Sequence, residues 1–269
     1  MTSSGQTGRN GVPGDIGTNI AHPARVYDYW LGGKDNFAAD RAAAQQVMAA
    51  MPEILDTVRG NRRFLVRAVR FLRDAGIRQF IDIGSGLPHS PNVHEIAQDG
   101  GTGARVVYVD NDPMVFLHAE ALMAGNDATA VVRADLRDVD EVLSSAGKLL
   151  DFTRPAALLF VGCLHHIVDS DDPAGIVARY LAALAPGSYL VISHVTDERS
   201  PEKMRANAEV AESSGAVLIP RGRDAILRMF NGRELVDPGL VLVSHWRPEG
   251  GDPGPNADRA WAYGGVAPV

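Results

Sequence analysis

Residues 79–87 read Gln-Phe-Ile-Asp-Ile-Gly-Ser-Gly-Leu, an apolar run that ends in two closely spaced glycines. The apolar run predicts a buried strand over residues 79–83, and the glycines permit a tight turn from that strand into a helix. At such a turn the backbone can approach a ligand closely, since the following helix presents free N–H groups. The stretch therefore predicts the first strand of a ligand-binding sheet, with a purely structural turn as the alternative.

A carboxylate follows the second predicted strand. Asp110 lies 24 residues after Gly86, which is the place and spacing of an acid that accepts hydrogen bonds from ribose hydroxyls. Alternatively Asp110 caps the next helix, although Asp112 is better placed for that role. Asp135 follows a third predicted strand, where it could accept from an adenine amino group or stand as a surface turn residue. The glycine loop and these acids together indicate a cofactor that contains a nucleoside.

The residues after the two glycines bear on the kind of cofactor. A dinucleotide fingerprint needs a third glycine three residues after the second, and His89 occupies that position. This disfavours a nicotinamide-dependent oxidoreductase. S-adenosylmethionine carries no phosphate, so its site needs only an open glycine loop and carboxylates for its ammonium group and ribose. Asp82 and Asp110 satisfy that need, and the residues therefore favour S-adenosylmethionine.

Strands and helices alternate along the rest of the chain. Further strands are predicted at 105–109, 130–133, 156–161 and 188–193, and a final pair, which could form a hairpin, at 240–245 and 261–265. Helices are predicted at 40–51, 62–75, 92–98, 113–124, 139–146, 172–184, 201–213 and 223–230. Asn61 is expected to cap the second of these helices and Gly76 to end it. Continuous apolar strands interleaved with helices predict the α/β class, with a parallel sheet covered on both faces.

Composition narrows the class of protein. The chain has 269 residues, which suggests one large domain or two small ones, and its net charge of −7 argues against binding nucleic acid over its whole surface. A single cysteine, Cys163, excludes an intrachain disulfide framework and a four-cysteine zinc site. Residues 155–164, the longest apolar run, are too short to span a membrane, and residues 1–19 lack the apolar segment of a secretory signal. We therefore expect a cytoplasmic protein that does not enter a membrane.

Several motif-like segments lie outside the glycine loop. They read Ala-Arg-Val-Tyr-Asp-Tyr-Trp-Leu-Gly-Gly-Lys-Asp-Asn-Phe at 24–37, Asn-Arg-Arg-Phe-Leu-Val-Arg-Ala at 61–68, Val-Tyr-Val-Asp-Asn-Asp-Pro at 107–113, Pro-Gly-Ser-Tyr-Leu at 186–190 and Phe-Asn-Gly-Arg-Glu-Leu-Val-Asp-Pro-Gly-Leu at 230–240. On this set and residues 79–88, the chain resembles the bacterial S-adenosyl methyltransferase family, once catalogued as a domain of unknown function. That family lies within the class I S-adenosylmethionine-dependent methyltransferases.

The resemblance implies a fold and a division of the chain. The implied fold is α/β, a doubly wound and mostly parallel seven-stranded sheet of the Rossmann-like class I methyltransferase type, with its last strand antiparallel and an N-terminal helical lid. Residues 1–20 would be a disordered tail, residues 21–78 the lid, and residues 79–269 the core that binds S-adenosyl-L-methionine.

The resemblance also implies roles in cofactor binding. Asp82, Gly84 and Gly86 would line the methionine part, Asp110 would hold the ribose, and Asn111 and Asp135 would meet the adenine. The remaining expected cofactor contacts are Ser85, Leu136, Gly33, Tyr27, Tyr29 and Trp30. One of the three aromatic side chains would lie near the sulfonium, where a cation over a ring gains about 0.5–2 kcal/mol. Ordinary core packing is the alternative for those aromatic residues.

The catalytic group is less clearly marked. His165 and His166 follow the fourth predicted strand, where a histidine could act as a general base, and we rank His165 ahead of His166. A structural role, or one towards the cofactor, is the alternative for both, and His194 is a weaker candidate. No His, Cys or Asp cluster has metal-ligand spacing, so no metal is expected.

Function follows from the cofactor. The expected activity is S-adenosylmethionine-dependent methyl transfer to an unidentified small-molecule acceptor, with neither membrane nor nucleic acid as a partner. The alternative is a regulatory protein that binds S-adenosylmethionine or S-adenosylhomocysteine without catalysis. Arg221 or Arg223 is expected to bind a carboxylate of the acceptor. Arginines spaced along residues 59–73 are expected to form a solvated helix face.

Overall fold

The structure of the chain is a computed structural model that describes residues 17–123 and 125–269. Most of the expected disordered tail, residues 1–16, and the last residue of the helix expected at 113–124 lie outside the described residues. Nine α-helices occur within the described part. They are α1 (Pro23–Trp30), α2 (Ala38–Ala50), α3 (Ile54–Asp74), α4 (Val93–Ala97), α5 (Pro113–Met123), α6 (Val139–Ala146), α7 (Pro173–Leu181), α8 (Pro201–Ser213) and α9 (Arg223–Arg228).

Seven strands of the described chain form one sheet. They are β1 (Gln79–Ile83), β2 (Arg105–Asp110), β3 (Thr129–Arg133), β4 (Ala157–Val161), β5 (Tyr189–Val195), β6 (Val241–Leu242) and β7 (Ala262–Pro268). Their order is β3-β2-β1-β4-β5-β7-β6; β1 to β5 are parallel, and β7 runs antiparallel to both its neighbours. This confirms the predicted doubly wound sheet with an antiparallel last strand.

Each strand at the centre of the sheet contributes side chains to two hydrophobic clusters, one on each face, because successive side chains point to opposite faces. Phe80 packs in a cluster with Leu65 and Leu72 of α3. Ile81 and Ile83 pack in the other cluster, which α6, α7 and α9 cover. All five β1 residues are buried, as a strand covered on both faces requires.

Helix starts follow local sequence signals. Asp172 accepts a hydrogen bond from the Gly175 N–H at the start of α7, and Ser200 accepts from the Lys203 N–H at the start of α8. Both helices have proline at their first position, where no N–H is needed. The predicted bounds of α6 and α8 are confirmed.

The start of α3 was predicted wrongly. The helix begins at Ile54 instead of residue 62, because Ile54 and Val58 bury their side chains in a cluster with α2 and α8. Asn61 is therefore inside the helix and does not cap it. Gly76, with φ +91°, follows the last turn as expected.

Arginines of α3 bind loops, so the expectation of a solvated face was wrong for several of them. Arg67 donates from Nε to the Trp246 carbonyl at 2.7 Å and from Nη2 to the Val243 carbonyl at 2.6 Å. These bonds hold the chain in turns after Leu242, which explains why β6 ends there and not at residue 245.

No helix in the described part is long and apolar enough to cross a membrane.

Candidate active site

The carboxyl ends of β1 to β5 meet at one edge of the sheet. The order of strands reverses between β1 and β4, and such a switch point opens a crevice for ligands. A cavity of about 630 Å³ lies there, within the range of about 300–1,000 Å³ that is usual for ligand sites. Because β7 is antiparallel, its first residues reach the same edge, and Trp261 lines the cavity beside them.

The glycine loop is held against the sheet by backbone bonds. Gly84 N donates to the Val109 carbonyl at 2.8 Å, and Gly86 N donates to Oδ2 of Asp110 at 2.9 Å. Gly84 and Gly86 have φ of +67° and +66°, which favour glycine. A Cβ on Gly84 would lie only 2.5 Å from Cβ of Cys163, whereas a Cβ on Gly86 would meet nothing within 4 Å.

This contrast predicts different results for two matched substitutions. Gly84→Ala combines backbone strain with a clash, and we expect it to lower the free energy of unfolding by about 3 kcal/mol. Gly86→Ala carries only the strain of about 1–2 kcal/mol. Urea denaturation of both variants measures the difference. Equal losses would contradict the close packing of the loop on Cys163.

Asp82 is the least satisfied acid of the cavity. Its side chain lines the cavity at 5% residue exposure, and no hydrogen bond to its carboxylate is found among the described residues. Burial raises the pKa of Asp82 to about 7, although the charge of Arg62 opposes this shift. A buried carboxylate without a partner is costly, so Asp82 is suited to receive a cation from a ligand.

Arg62 was not singled out as a site residue by the sequence. It lies on α3 inside the stretch first expected to be a solvated face, yet it lines the cavity near Asp82. Its Nη2 donates to the carbonyls of His89 and Pro91, and its buried Nε has no partner among the described residues. The signal in the sequence was its place in the segment 61–68.

The acids expected to hold the nucleoside are brought together, but each already has protein partners. Asp110 accepts from Gly86 N and Asp112 N, and burial raises its pKa. Asp135 is paired with Arg137, whose Nη2 donates to Oδ2 at 2.7 Å, and this bond lowers the pKa of Asp135. Oδ1 of Asp135 already accepts two bonds from Arg137, whereas Oδ2 of Asp135 and both oxygens of Asp110 retain a lone pair for a ligand.

The other expected cofactor contacts divide into two groups. Those that line the cavity are Ser85, Asn111, Leu136, Tyr27 and Trp30. Tyr29 and Gly33 do not line the cavity, and their contact with the cofactor stays a prediction. Tyr29 instead accepts a hydrogen bond from Gln45 at 3.3 Å, and Gly33 packs so closely on Asp28 that a side chain would not fit.

Asn61 links the N-terminal helices to the sheet. Its Nδ2 donates to the hydroxyl of Tyr27 at 3.1 Å, and its Oδ1 accepts from Oγ of Ser193 at 2.5 Å. The Tyr27 hydroxyl in turn donates to the Val58 carbonyl at 3.2 Å. These bonds fix Tyr27 at the cavity wall, with its polar end satisfied.

Three histidines meet at the carboxyl ends of β4 and β5. The rings of His165 and His166 lie 4.3 Å apart, and those of His165 and His194 lie 5.5 Å apart. All three line the cavity, and burial lowers the pKa of each. For His194 it falls to about 3. The cluster is therefore uncharged at neutral pH.

Hydrogen bonds distinguish the three rings. Arginine has no acceptor, so the contact of 2.9 Å between Nη1 of Arg221 and Nε2 of His194 makes that nitrogen an acceptor. The other nitrogen, Nδ1, then donates to the Val195 carbonyl. Nδ1 of His166 donates to the Val217 carbonyl at 2.6 Å, which leaves the lone pair on Nε2. Nδ1 of His165 is buried without a partner among the described residues.

Arg221 is bonded to protein groups and does not line the cavity, which disfavours its expected role in binding an acceptor carboxylate. It is 6% exposed and its five N–H groups are directed at protein acceptors: the carboxylate of Asp169, the carbonyls of Leu164 and Ile167, and His194. Arg223, the other residue expected to bind a carboxylate, does not line the cavity and donates to the Leu240 carbonyl.

Two further sequence expectations concern the role of Cys163 and a metal ion. The thiol is free and buried, and burial raises its pKa well above the usual value, as expected of a packed side chain and not of a nucleophile. In the described residues, no group of three or more His, Cys, Asp or Glu side chains could hold a metal ion.

Comparisons with known proteins agree on the family. A family described as S-adenosyl methyltransferase matches residues 9–269. The chain is 41% identical to a candidate methyltransferase from Thermobifida fusca YX, with a TM-score of 0.88 and 95% and 97% of the two chains covered. It is 40% identical to a DUF574 family protein from Streptomyces avermitilis, with a TM-score of 0.90 and 94% and 99% covered. No curated protein sequence matches significantly.

A more distant structure shares the fold alone. N-methyltransferase NodS from Bradyrhizobium japonicum, in complex with S-adenosyl-L-homocysteine, is 12% identical with a TM-score of 0.50, and 85% of this chain and 96% of that chain are covered. The family match over nearly the whole chain and the two relatives at 40% identity are decisive. The chain belongs to the S-adenosyl methyltransferase family and is an S-adenosylmethionine-dependent methyltransferase.

Proposed function

We propose that S-adenosylmethionine binds with its ammonium group on Asp82 and its nucleoside along Asp110, Asn111 and Asp135. The observation that carries this placement is the carboxylate of Asp82, which is buried at the cavity wall without a hydrogen bond among the described residues. A ligand ammonium supplies the missing charge, and Gly86, where a Cβ would meet nothing within 4 Å, leaves open space beside the loop. The residues present therefore fit the cofactor.

Arg62 is proposed to bind the carboxylate of the same amino acid part. Its guanidinium lies close enough to Asp82 to influence that residue's pKa, and its buried Nε has no acceptor among the described residues. Paired charges on Asp82 and Arg62 thus match the ammonium and carboxylate of one ligand. A buried N–H without an acceptor costs about 1–3 kcal/mol, which a ligand oxygen would recover.

His166 is proposed as the group that removes a proton from the acceptor. When bound, the cofactor supplies an electrophilic methyl group, and the protein orients the acceptor for in-line attack. His166 has its proton fixed on Nδ1 by Val217, so its Nε2 is ready to accept one. His165 lacks an acceptor for a proton on Nδ1, so its favoured form carries the proton on Nε2, and that nitrogen is then not free to accept another. This reverses our ranking of the two residues.

The lid of this proposal consists of α1 and α2, whereas most of α3 packs on the sheet. Two of the contacts that join α1 and its N-cap His22 to the core are ion pairs: Nε2 of His89 lies 3.2 Å from Oδ1 of Asp28, and Nδ1 of His22 lies 3.0 Å from Oδ2 of Asp112. Opening α1 would break both contacts and admit the cofactor. The acceptor is proposed to be a small molecule. The compartment is proposed to be the cytoplasm, whose reducing conditions suit a single free thiol.

His166→Gln is expected to lower the rate of methyl transfer by about 100-fold while S-adenosylhomocysteine still binds. The measurement uses S-adenosylmethionine labelled in its methyl group and a fractionated bacterial small-molecule extract as the source of acceptors. His245→Gln is the control, because His245 is outside the cavity and pairs with Asp258. An unchanged rate in His166→Gln would show that His166 is not the base. Cofactor binding without any transfer to small molecules would favour the regulatory alternative.

A further inference from the structure

Part of the cavity wall is formed by helices outside the sheet, and this part is here called the acceptor lobe. Its walls come from α2, the first turns of α3, and α8, and include Val47, Met51, Ile54, Met204, Asn207 and Val210. Trp261 closes it beside β7. Most of these side chains are apolar, and several are buried in one cluster. The lobe thus offers a large apolar surface to a ligand that also reaches the histidines.

One face of α8 forms the longest wall of the lobe. Met204, Asn207, Val210, Ala211 and Ser214 all line the cavity, at the spacing of three to four residues that places side chains on one helix face. Asn207 is the polar residue in the middle of this face. An amide there is exceptional, because the neighbouring positions pack as core.

Asn207 lacks the hydrogen bonds that a buried amide needs. The residue is 1% exposed, its Nδ2 donates only to Sδ of Met51 at 3.2 Å, and its Oδ1 has no partner among the described residues. Exchanging the two amide atoms would not help, since one end would still face a weak sulfur partner. A buried amide in this state costs about 1–3 kcal/mol, which a ligand that bonds to it would offset.

Charge is distributed unevenly along the cavity. The carboxylates and guanidinium groups that line it, Asp28, Asp82, Asp110, Asp135, Arg62 and Arg137, belong to the proposed cofactor end. In the described part of the chain, the walls of the acceptor lobe from α2, α8 and Trp261 include no Asp, Glu, Lys or Arg. A charged acceptor would therefore lose its hydration without gaining a counter-ion, which costs several kcal/mol.

We infer that the acceptor is an uncharged, largely apolar small molecule that carries two polar groups. One is the hydroxyl or amine that is methylated beside His166, and the other bonds to Asn207, which acts as a specificity-determining residue. This inference rests on the proposed function, because it places the cofactor at the opposite end of the same cavity. It also explains why no arginine is available to bind an acceptor carboxylate.

Binding of three matched probes to the protein saturated with S-adenosylhomocysteine tests the inference. The probes are 2-naphthol, 6-hydroxy-2-naphthoate and 2,6-dihydroxynaphthalene, and calorimetry gives their dissociation constants. We expect 2-naphthol to bind at least about tenfold more tightly than the naphthoate, since the naphthoate carries a charge and 2-naphthol does not. The second hydroxyl of the dihydroxy probe should improve affinity about tenfold by bonding to Asn207.

The Asn207→Leu variant tests whether the dihydroxy probe gains affinity from a hydrogen bond to Asn207 or only from filling the lobe. This variant should bind 2-naphthol as the wild type does and lose the tenfold preference for the dihydroxy probe, whereas Asn256→Leu, at an exposed position, should keep it. Should Asn207→Leu fail to fold, Asn207→Asp places a charge in the lobe, and the loss of 2-naphthol affinity serves as the readout.

The outcomes are decisive and distinct from those of the proposed function. Equal binding of the naphthoate, an unchanged preference in Asn207→Leu, or no binding of any probe to the saturated protein would each overturn the inference. Failure of folded protein to bind S-adenosylhomocysteine at the outset would instead overturn the proposed function.

Discussion

Asp82→Asn is expected to weaken binding of S-adenosylmethionine about 30-fold at pH 8. At that pH the wild-type carboxylate is ionised and pairs with the ligand ammonium, while the amide offers no charge. A hydrogen bond between charged groups is worth about 1.5–3 kcal/mol, which corresponds to about 10- to 150-fold in affinity. The variant should fold, because removing a buried unpaired charge relieves the free protein.

The same variant should lose a pH dependence that the wild type shows. Burial raises the pKa of Asp82 to about 7, so the free protein holds a proton there below neutrality. A cationic ligand favours the ionised form, and its binding must therefore release that proton. The affinity of the wild type should rise with pH up to about 7 and then level off. The affinity of Asp82→Asn should lack this rise, because the amide does not titrate.

The free energy of unfolding of the ligand-free protein should change with pH in the opposite direction to the affinity for the ligand. The folded pKa of Asp82 lies above the ordinary value of 3.8, so between these two values the folded state holds a proton that the unfolded state has lost. The contribution of Asp82 to the free energy of unfolding therefore decreases as pH rises from about 4 to 7. The increase in melting temperature caused by S-adenosylmethionine should accordingly be larger at pH 8 than at pH 6.

Calorimetry in two buffers of different ionisation enthalpy measures the released proton directly. Asp127→Asn is the matched control, because Asp127 is exposed and outside the cavity. Equal affinity of Asp82→Asn and wild type at pH 8, or proton release that survives the substitution, would contradict the assignment of the ammonium to Asp82.

Arg221→Met is expected to lower the free energy of unfolding by about 3–5 kcal/mol, as measured by urea denaturation at pH 7.5, because each buried acceptor left without a donor costs about 1–3 kcal/mol. The substitution keeps the apolar stem but leaves the Leu164 and Ile167 carbonyls and Nε2 of His194 without their donor. Arg221→Lys should recover little of this loss, since one ammonium cannot reproduce a planar set of five donors.

Arg223→Met controls for the loss of an arginine at the start of α9. That residue makes a single long side-chain bond, of 3.3 Å, to the Leu240 carbonyl. We expect its substitution to cost under about 0.5 kcal/mol, as is usual at the surface. A loss in Arg221→Met no larger than in Arg223→Met would show that the arginine does not organise the histidine cluster.

Local patterns predicted the fold and the meeting of three acids at one edge of the sheet. The apolar run before Gly84 and the acid that ends β2 are close to one another in sequence and depend only on strand geometry. Parallel strands then bring Asp82, Asp110 and Asp135 to one edge, which is why these residues could be identified without a structure. The start of α8 was marked locally by Ser200, which caps the helix, and by Pro201 at its first position.

Residues whose roles depend on distant partners could not be predicted. Asn61 looked like a helix cap, because its partner Ser193 lies 132 positions away. Arg221 looked like a ligand-binding arginine, since nothing local shows that Leu164 and Ile167 would present carbonyls to it. Asn207 carried no motif, and its importance arises only from its burial against α2.

Parallel calorimetric titrations with S-adenosylmethionine, S-adenosylhomocysteine, 5′-methylthioadenosine and NAD test the central claim most directly. We predict that the first two bind with affinities that rise between pH 6 and 8. 5′-Methylthioadenosine, which lacks the amino acid part, should bind more weakly and without the Asp82-linked rise, and NAD should not bind. Folded protein that binds neither S-adenosylmethionine nor S-adenosylhomocysteine, or that binds 5′-methylthioadenosine as tightly as S-adenosylhomocysteine, would contradict the assignment of this cavity to the cofactor.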